Sequence, residues 1–594
     1  MRAYLIGFLL IVVAVVVFQG RSVRYGLMLD DYSQRAELRE GDWSLRSLVE
    51  ASHLGGPRRR VAMWWQETAD LYFFRPVAFF LMRLEYVIGG WHPEVMHGFS
   101  LAWHVAAACL VIVLARLTTG SGTWAGLAGV LFALHPANYL TVRWIACQNE
   151  QMTTVFLLAA LLAYGLASDW FPHAEAASTR RAIVLRVLAA ALFVLALGCR
   201  ESAIVFVGMV VLGDAIARPQ GWRGRWVNYA ALVAIAVGYL ALRSAFLGGF
   251  EMPARPYAWP PSEPGFARFV IDKFVYYMLA LFLYVPVVGF SGIRFLRENP
   301  VLFYGSFAAL VAAGLTCLIW LRSRRVIQVW VVVAVLPLLP VLPVFASAHH
   351  LYLASAAMVI AMIAVWEGLV VWAANRASRP ARLLPVAIAV LIALHIGGFA
   401  GANIAYDAGV AGLSAASHGP VRDVVTFGGE FQPNDRLFFV NLPMLGFNCI
   451  PAIEEATGVA PLKGYVLTFA PAFLGMDRPA YCERVDEHTL RVWLEDEGYF
   501  SDLAGQRMLE AVGRDRPFAV GETFRTHDFT VEVVRGSENG IQEFRFTFER
   551  PLDDPRYHFF FGSQHLAAFP LRFDEEPTSA AAQRPRTIRT EPPP

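Results

Sequence analysis

Charge is what this chain has least of. Only 16% of its 594 residues are charged, where a soluble globular chain carries about 25%. With 56% hydrophobic residues, that deficit excludes an ordinary soluble enzyme. It leaves a polytopic membrane protein with room for one soluble domain. Lysine is almost missing: only Lys273 and Lys463 occur, and arginine carries nearly all the positive charge. A formal net charge of +2 supplies no basic surface for a nucleic acid. Cysteine is sparse too, at six residues. Cys109, Cys147, Cys199 and Cys317 lie in or beside apolar runs, where cysteine acts as a small buried hydrophobe. Cys449 and Cys482 fall in a more polar C-terminal part. If that part lies outside the cytoplasm, a disulfide between them is open.

Long apolar runs, by contrast, abound. The opening "MRAYLIGFLLIVVAVVVFQG" lacks a small-residue cleavage site. It reads as a retained signal anchor, with a cleaved signal peptide as the alternative. Ten further runs lie near 95–116, 123–143, 151–168, 183–199, 201–217, 228–247, 300–320, 326–346, 350–373 and 384–405. Each approaches the roughly 20 residues that a bilayer requires. Arg2, Arg116, the groups at Arg180, Arg218 and Arg322, and Arg376 with Arg379 and Arg382 fall in alternate connections. One scheme puts all of them in the cytoplasm. The expectation is about 11 transmembrane helices with the C-terminus outside. The run 269–292 is apolar enough to cross, yet one crossing there would invert every later arginine group. It is expected to be interfacial, re-entrant or a hairpin. The run 75–90 carries Arg83 and Glu85 and is expected at the outer interface.

The chain thus divides into a transmembrane domain at 1–405, with external loops at 19–94 and 248–299, a β-rich extracytoplasmic domain at 406–575, and a disordered tail at 576–594. The first loop is rich in tryptophan and charge, and its two-faced stretches suit helices lying on the membrane. Arg58, Arg59 and Arg60 within it suit lipid headgroups. From about Val421 onward, runs such as "DRLFFVNLP", "FTVEVV" and "EFRFTFE" read as strands with one packed and one wet face. This domain shows no metal-ligand spacing and no nucleophile motif, so support or acceptor recognition is its expected role. The tail "EEPTSAAAQRPRTIRTEPPP" is too polar and proline-rich to fold.

Five stretches carry polar groups at expected outer span ends. They are Asp30-Asp31; "LHPANYLTVRWIACQNEQM" with His135, Arg143, Gln148 and Glu150; "GCRESA" with Arg200 and Glu201; 269–292 with Asp272, Lys273, Tyr276 and Tyr277; and "ASAHHLYLAS" with His349, His350 and Tyr352. Unselected polar residues would divide between both sides. Their shared side points to an external active site. Each group also has a plain structural reading. Asp30 and Asp31 could be a solvated pair. Glu150 and Glu201 could be interfacial carboxylates beside Arg143 or Arg200. His135 could cap a span before Pro136, and Arg200 and Lys273 could snorkel. Two adjacent histidines fall short of a metal site.

The order "LDDYS", "FFRPV", a His-Pro turn, a basic-Glu pair and "HHLYLAS" resembles the C-type (GT-C) polyprenyl-phosphate-sugar glycosyltransferases. The closest likeness is to the transmembrane and tetratricopeptide-repeat O-mannosyltransferases and their bacterial relatives. The family turn H-P-x-x-x-E-x-V-x-W, then G-R-x-D, is matched at His135, Pro136, Val142 and Trp144. Leu140, Gln148 and Glu150 stand where the family has Glu, Arg and Asp. Arg200-Glu201 matches its K-E pair, and His349 to Ser355 matches R-Y-L-Y-L-P-S, with His349 for Arg and Ala354 for Pro. The likeness spans roughly residues 25–356 and includes no tetratricopeptide repeat.

This resemblance implies transfer of a sugar from a polyprenyl phosphate, undecaprenyl in a bacterium, to an acceptor on a protein, lipid or glycan. Transfer would occur outside the inner membrane, with inversion. A phosphate leaving group needs nearby positive charge, and an acceptor hydroxyl needs a base. One carboxylate of Asp30 and Asp31 is the expected base, with Asp30 the first choice; the other holds the loop or a metal. Expected donor or acceptor contacts are Arg75, His135, Arg143, Gln148, Glu150, Arg200, Glu201, Lys273, His349, His350 and Tyr352. A divalent cation stays open, with Asp30, Asp31 and Glu150 as its oxygen ligands. The competing classes are a polysaccharide polymerase or ligase, a lipid-linked saccharide transporter, and a scaffold. A transporter should gather polar groups at the bilayer midplane, and here they gather at span ends.

Overall fold

The computed structural model describes residues 2–53, 61–65, 73–249, 258–283, 285–287, 293, 296–321, 324–376, 379–495, 498–499, 518–537 and 540–573. Residues 58–60, the end of the 269–292 run and the 576–594 tail lie outside these. The N-terminal part runs α1 (Arg2–Gln19), α2 (Asp30–Glu40), α3 (Leu45–Glu50), β1 (Ala62–Met63), α4 (Pro76–Ile88), α5 (Pro93–Thr119), α6 (Gly122–Leu134), α7 (Tyr139–Arg143) and α8 (Gln148–Ala167). It continues through α9 (Thr179–Cys199), α10 (Phe206–Ala217), α11 (Trp226–Leu247), α12 (Phe266–Leu283), α13 (Pro300–Trp320), α14 (Arg325–Val335), α15 (Tyr352–Ala374) and α16 (Arg379–Phe427).

Among the described residues, eight helices are long and apolar enough to cross a membrane, or nine if α6 and the bent segment Pro136–Arg143 count as one. The bend is 46°. Its cause is the His135-Pro136 step: His135 leaves helical geometry and Pro136 has no N–H to continue the ladder. The remaining two of the 11 expected spans, 201–217 and 326–346, are shorter helices. The first starts in a 3-10 turn, Glu201–Val205. The second passes from α14 into the 3-10 turn Leu336–Val341, which holds Pro337 and Pro340. Val301, Leu302, Ile319, Leu394 and Ile404 are exposed, as a lipid-facing surface requires, since lipid is as apolar as leucine. At one end of the bundle Thr118, Asp169, His173, Arg218, Arg324 and Arg325 line a cavity of about 560 Å³. The connections after α5, α8, α10 and α13, four of those that carry arginine, therefore meet at one end.

The 269–292 run begins as α12, which is not one of the eight span-like helices. It carries Arg268, Asp272 and Lys273, and Asp272 is ion-paired with Arg297 at 2.6 Å. In α4 one face, Ala78, Phe79, Met82 and Tyr86, is buried, while Phe80, Leu84, Val87 and Ile88 are exposed. The buried Arg83 at its middle donates to the carbonyls of Gly41 and Asp42.

The expected domain boundary at 405 needs correction. The 49-residue α16 continues to Phe427. Beyond 405 its sequence, "YDAGVAGLSAASHG", loses hydropathy, and packing holds the helix: Val410, Ser414, Ser417 and Val424 are buried, and Ser414 Oγ donates to the Tyr25 carbonyl at 2.6 Å.

The C-terminal domain then holds β2 (Arg436–Val440), α17 (Ile450–Thr457), β3 (Lys463–Val466), β4 (Tyr481–Arg484), β5 (Thr489–Trp493), β6 (Thr523–Arg525), β7 (Phe529–Ser537), β8 (Gly540–Phe548), β9 (Tyr557–Phe561) and β10 (Phe569–Leu571). They form two five-stranded sheets, ordered β1-β3-β2-β9-β10 and β4-β5-β8-β7-β6. The second is antiparallel throughout. Along β8, Phe544, Phe546 and Phe548 are buried while Thr547 is exposed, the alternation that its sequence displays. Cys449 and Cys482 are both buried and free, so the open disulfide is not formed.

One pairing crosses between the two regions. β1 belongs to the first loop and lies parallel to β3, with Ala62 opposite Tyr465. The next residue, Trp64, is buried in the domain core against Phe518, Phe524 and Phe544. Its Nε1 donates to the Leu467 carbonyl at 2.9 Å.

Candidate active site

The first loop presents its carboxylates through a strained turn. Leu29 has φ +50°, a conformation unusual for a residue with a branched side chain. Asp31 holds it. One Asp31 oxygen accepts from the Met28 amide at 2.8 Å, the other from the Ala146 amide at 2.7 Å. Asp31 is buried and pins the first loop to the turn Ile145–Cys147. Its neighbour Asp30, the first residue of α2, is only partly buried. Oδ1 of Asp30 accepts from Asn448 Nδ2 at 3.3 Å. Burial pushes the Asp30 carboxyl up to about 6, against the pull of the Asn448 hydrogen bond and the Arg75 charge.

Four connections, the first loop included, converge around Asp30. Arg75, just before α4, makes a two-pronged contact with Glu201 at 2.9 and 3.1 Å. Arg200 reaches Glu150 at 2.8 Å and donates to Asn149 at 3.1 Å. His349 and His350 are buried within electrostatic reach of Arg75, Arg200 and Lys273. Ser347 Oγ lies 2.8 Å from His349 Nδ1, and Tyr277 Oη lies 2.9 Å from His350 Nδ1. Among the described residues His350 Nε2 is buried without a partner. Asp30, Arg75, Glu150, Arg200, Glu201, His349 and His350 thus share one region at the end of the bundle that faces the C-terminal domain.

Other expected site residues do structural work. His135 Nδ1 accepts from the Ala137 amide at 3.2 Å, and Nε2 sits 3.1 Å from the Leu281 carbonyl. Nδ1 thus serves the α6–α7 bend and Nε2 ties that bend to α12. Arg143 is fully buried in a second cluster, 3.3 Å from Asp407 and 2.7 Å from the Phe18 carbonyl, with Asn403 beside it. Tyr25 and Arg21 complete that cluster on Asp407, which ties α1 and α7 to α16. Gln148 donates to the Met96 carbonyl and Ser100. Tyr352 meets His104 Nδ1 at 2.6 Å. Lys273 Nζ donates to the carbonyls of Val341, Val344 and Phe345, at and just beyond the end of the 3-10 turn Leu336–Val341.

For a cation, the trio Asp30, Asp31 and Glu150 is not assembled: both Asp31 oxygens face amides and Glu150 faces Arg200. Among the described residues no group of three or more His, Cys, Asp and Glu is gathered to hold one. Sequence reasoning missed Asn448 and Asn149. Asn448 lies in "GFNCIP", about 420 residues from Asp30, and no local pattern signals so distant a partner. Asn149 sits between two residues already singled out.

The chain is similar to protein O-mannosyl-transferase TMTC2 of Homo sapiens, 31% identical over 91 residues, covering 15% of this chain and 11% of that protein. It is similar to protein O-mannosyl-transferase Tmtc1 of Drosophila melanogaster, 29% identical over 147 residues, 24% of this chain and 16% of that one. It thus spans less than a fifth of the length of these curated relatives. No family model matches. Among solved structures, ArnT from Cupriavidus metallidurans in the apo state aligns with 75% of this chain and 84% of its own, at 15% identity and a TM-score of 0.44.

Proposed function

We propose that this chain is a membrane glycosyltransferase of the C type, moving a sugar from a polyprenyl phosphate to an acceptor with inversion, and that Asp30 is its base. The observation that carries this reading is the gathering of Asp30, Arg75, Glu201, Arg200, Glu150, His349 and His350 from four separate connections at one bundle end. The names of the similar O-mannosyl-transferases support sugar transfer. The arginine-bearing end is cytoplasmic in this reading, so the site and C-terminal domain face the periplasm of an inner membrane.

The chemistry follows from the groups. Asp30 takes the proton of the acceptor hydroxyl or amide as its oxygen or nitrogen attacks the anomeric carbon. The bond from that carbon to the phosphate oxygen breaks, and the electron pair leaves on the polyprenyl phosphate. A single carboxylate suffices because phosphate is already a good leaving group and needs no general acid. Arg75 and Arg200 supply positive charge beside it, each held in place beforehand by its own carboxylate. The buried His350 Nε2 is a further donor for a phosphate oxygen. Asp31, with both oxygens engaged, orients the loop.

The test is transfer of radiolabel from polyprenyl-phosphate sugars into membrane extract by purified protein. Wild type should transfer label, and Asp30→Asn should reduce the rate by a factor of about 10²–10⁴, the usual contribution of a positioned base, while still binding donor. Full activity in Asp30→Asn would overturn the assignment. No transfer from any such donor would overturn the donor class and favour a diphosphate-linked polymerase or ligase.

A further inference from the structure

We infer that Asn448, carried by the C-terminal domain, is a positioning residue for Asp30, so that this domain completes the active site. The inference rests on Asp30 being the base and extends it to a residue outside the membrane domain.

Geometry is the main support. Asn448 is buried and its Nδ2 holds one Asp30 oxygen at 3.3 Å. Among the described residues no other hydrogen bond to the Asp30 side chain occurs, which leaves Oδ2 open to an acceptor. A base needs this division: one oxygen oriented, the other available. Asn448 is itself held on both sides. The Val61 amide of the first loop donates to the carbonyl of the preceding Phe447 at 2.9 Å. Helix α17 begins two residues later, and its Glu455 pairs with Arg35 and Arg39 of α2, the helix that starts at Asp30. Tyr32 of α2 also meets His418 of α16 at 2.7 Å. The amide is thus fixed against the carboxyl by contacts that grip both partners.

A hydrogen bond to the ionised carboxyl favours its charged form. The other groups facing Asp30 are the Arg75 charge, which acts in the same direction, and Asp31 and Cys147, which oppose it when ionised. Removing the Asn448 donor leaves Arg75 as the remaining stabilising partner.

The experiment uses full-length purified protein in wild-type, Asn448→Ala, Asn448→Asp, Glu455→Ala and Asp30→Asn forms. Infrared titration, with Asp30→Asn subtracted from each parent carrying Asp30, reads the carboxyl directly and requires no substrate. The pH profile of transfer from radiolabelled polyprenyl-phosphate mannose gives the kinetic counterpart. Asn448→Ala should raise the midpoint of the Asp30 titration and the acid limb together and lower the maximal rate about tenfold, as loss of one bond to a charged group implies. The KM for the donor should be unchanged. Asn448→Asp, which adds a like charge, should move the midpoint further. Glu455→Ala, which loosens one of the contacts that grip Asn448, should move the midpoint in the same direction but by less than Asn448→Ala. An unchanged midpoint in Asn448→Ala overturns the inference, even if that variant melts early. An active Asp30→Asn overturns the base assignment instead, so the two failures are distinct.

Discussion

At the scale of single residues, two adjacent carboxylates have opposite surroundings. Asp31 is wholly enclosed and accepts two backbone amides, whereas Asp30 keeps one open oxygen. Asp31→Asn replaces one acceptor by an amide facing an N–H, and should destabilise the protein by about 2–4 kcal/mol, read as a lower melting temperature. Asp30→Asn should do the reverse. The folded Asp30 carboxyl titrates at about 6, above its ordinary 3.8. The folded chain therefore binds more protons than the unfolded one between about pH 4 and 6. Stability falls as pH rises through that window and stays lower above it. Neutral asparagine removes the effect, so Asp30→Asn should gain about 1–2 kcal/mol at pH 7.5, after allowing for screening by water at a partly exposed site, and nothing at pH 4. In wild type the same titration should appear as an acid limb near pH 6 in kcat/KM. Arg143 and Asp407 form the other residue-scale test. Removing either alone leaves a buried charge, which costs about 3–5 kcal/mol. The double variant Arg143→Met with Asp407→Leu should recover part of that loss in a thermal melt.

At the scale of elements, the first loop is held by the C-terminal sheet as well as by the helical bundle. Trp64 fills a phenylalanine-lined core, and Trp64→Ala should cost about 3–5 kcal/mol, visible as early unfolding of the C-terminal domain. Much at this scale was legible in the sequence. Apolar runs located the spans because a bilayer demands length, and the alternation in "EFRFTFE" located β8 because one face of a sheet must be buried. Other features were not legible. A two-residue strand such as β1 has too short a pattern to be read. Helix α16 outlasts its apolar run because its later turns pack against the first loop and the C-terminal core, partners that no local pattern displays. The 201–217 and 326–346 runs have the composition of spans, but Arg200-Glu201 and the prolines of "LPLLPVLP" break their helices. His135 and Lys273 looked chemical because polar groups are scarce in apolar surroundings; their work is to satisfy backbone groups at helix breaks, and sequence cannot say which carbonyls will be left open.

At the scale of the whole molecule, the proposed site draws on both regions. Asp30, Arg75, Arg200 and His349 could be ordered along the chain from sequence, because each sits at an end of an apolar run. Asn448 could not, since its place depends on how a separate domain docks. That docking is testable. A protease site inserted between Phe427 and Arg436 should, once cut in detergent, leave the two pieces copurifying. The β1–β3 pairing and the Arg35–Glu455 and Arg39–Glu455 ion pairs remain after the covalent link is gone. Adding Trp64→Ala to the cut protein should release the C-terminal piece.

The pairing of β1 with the C-terminal sheet also sets an order of events during synthesis. Trp64 and the carbonyl that receives its N–H are 403 residues apart. At a translation rate of about 5–20 residues per second, the first loop leaves the ribosome roughly 20–80 seconds before its partner strand exists. Throughout that interval Trp64 has no core to enter and Asp30 has no Asn448. Under the proposed function, the nascent chain therefore has no positioned base until its last domain closes over its first loop.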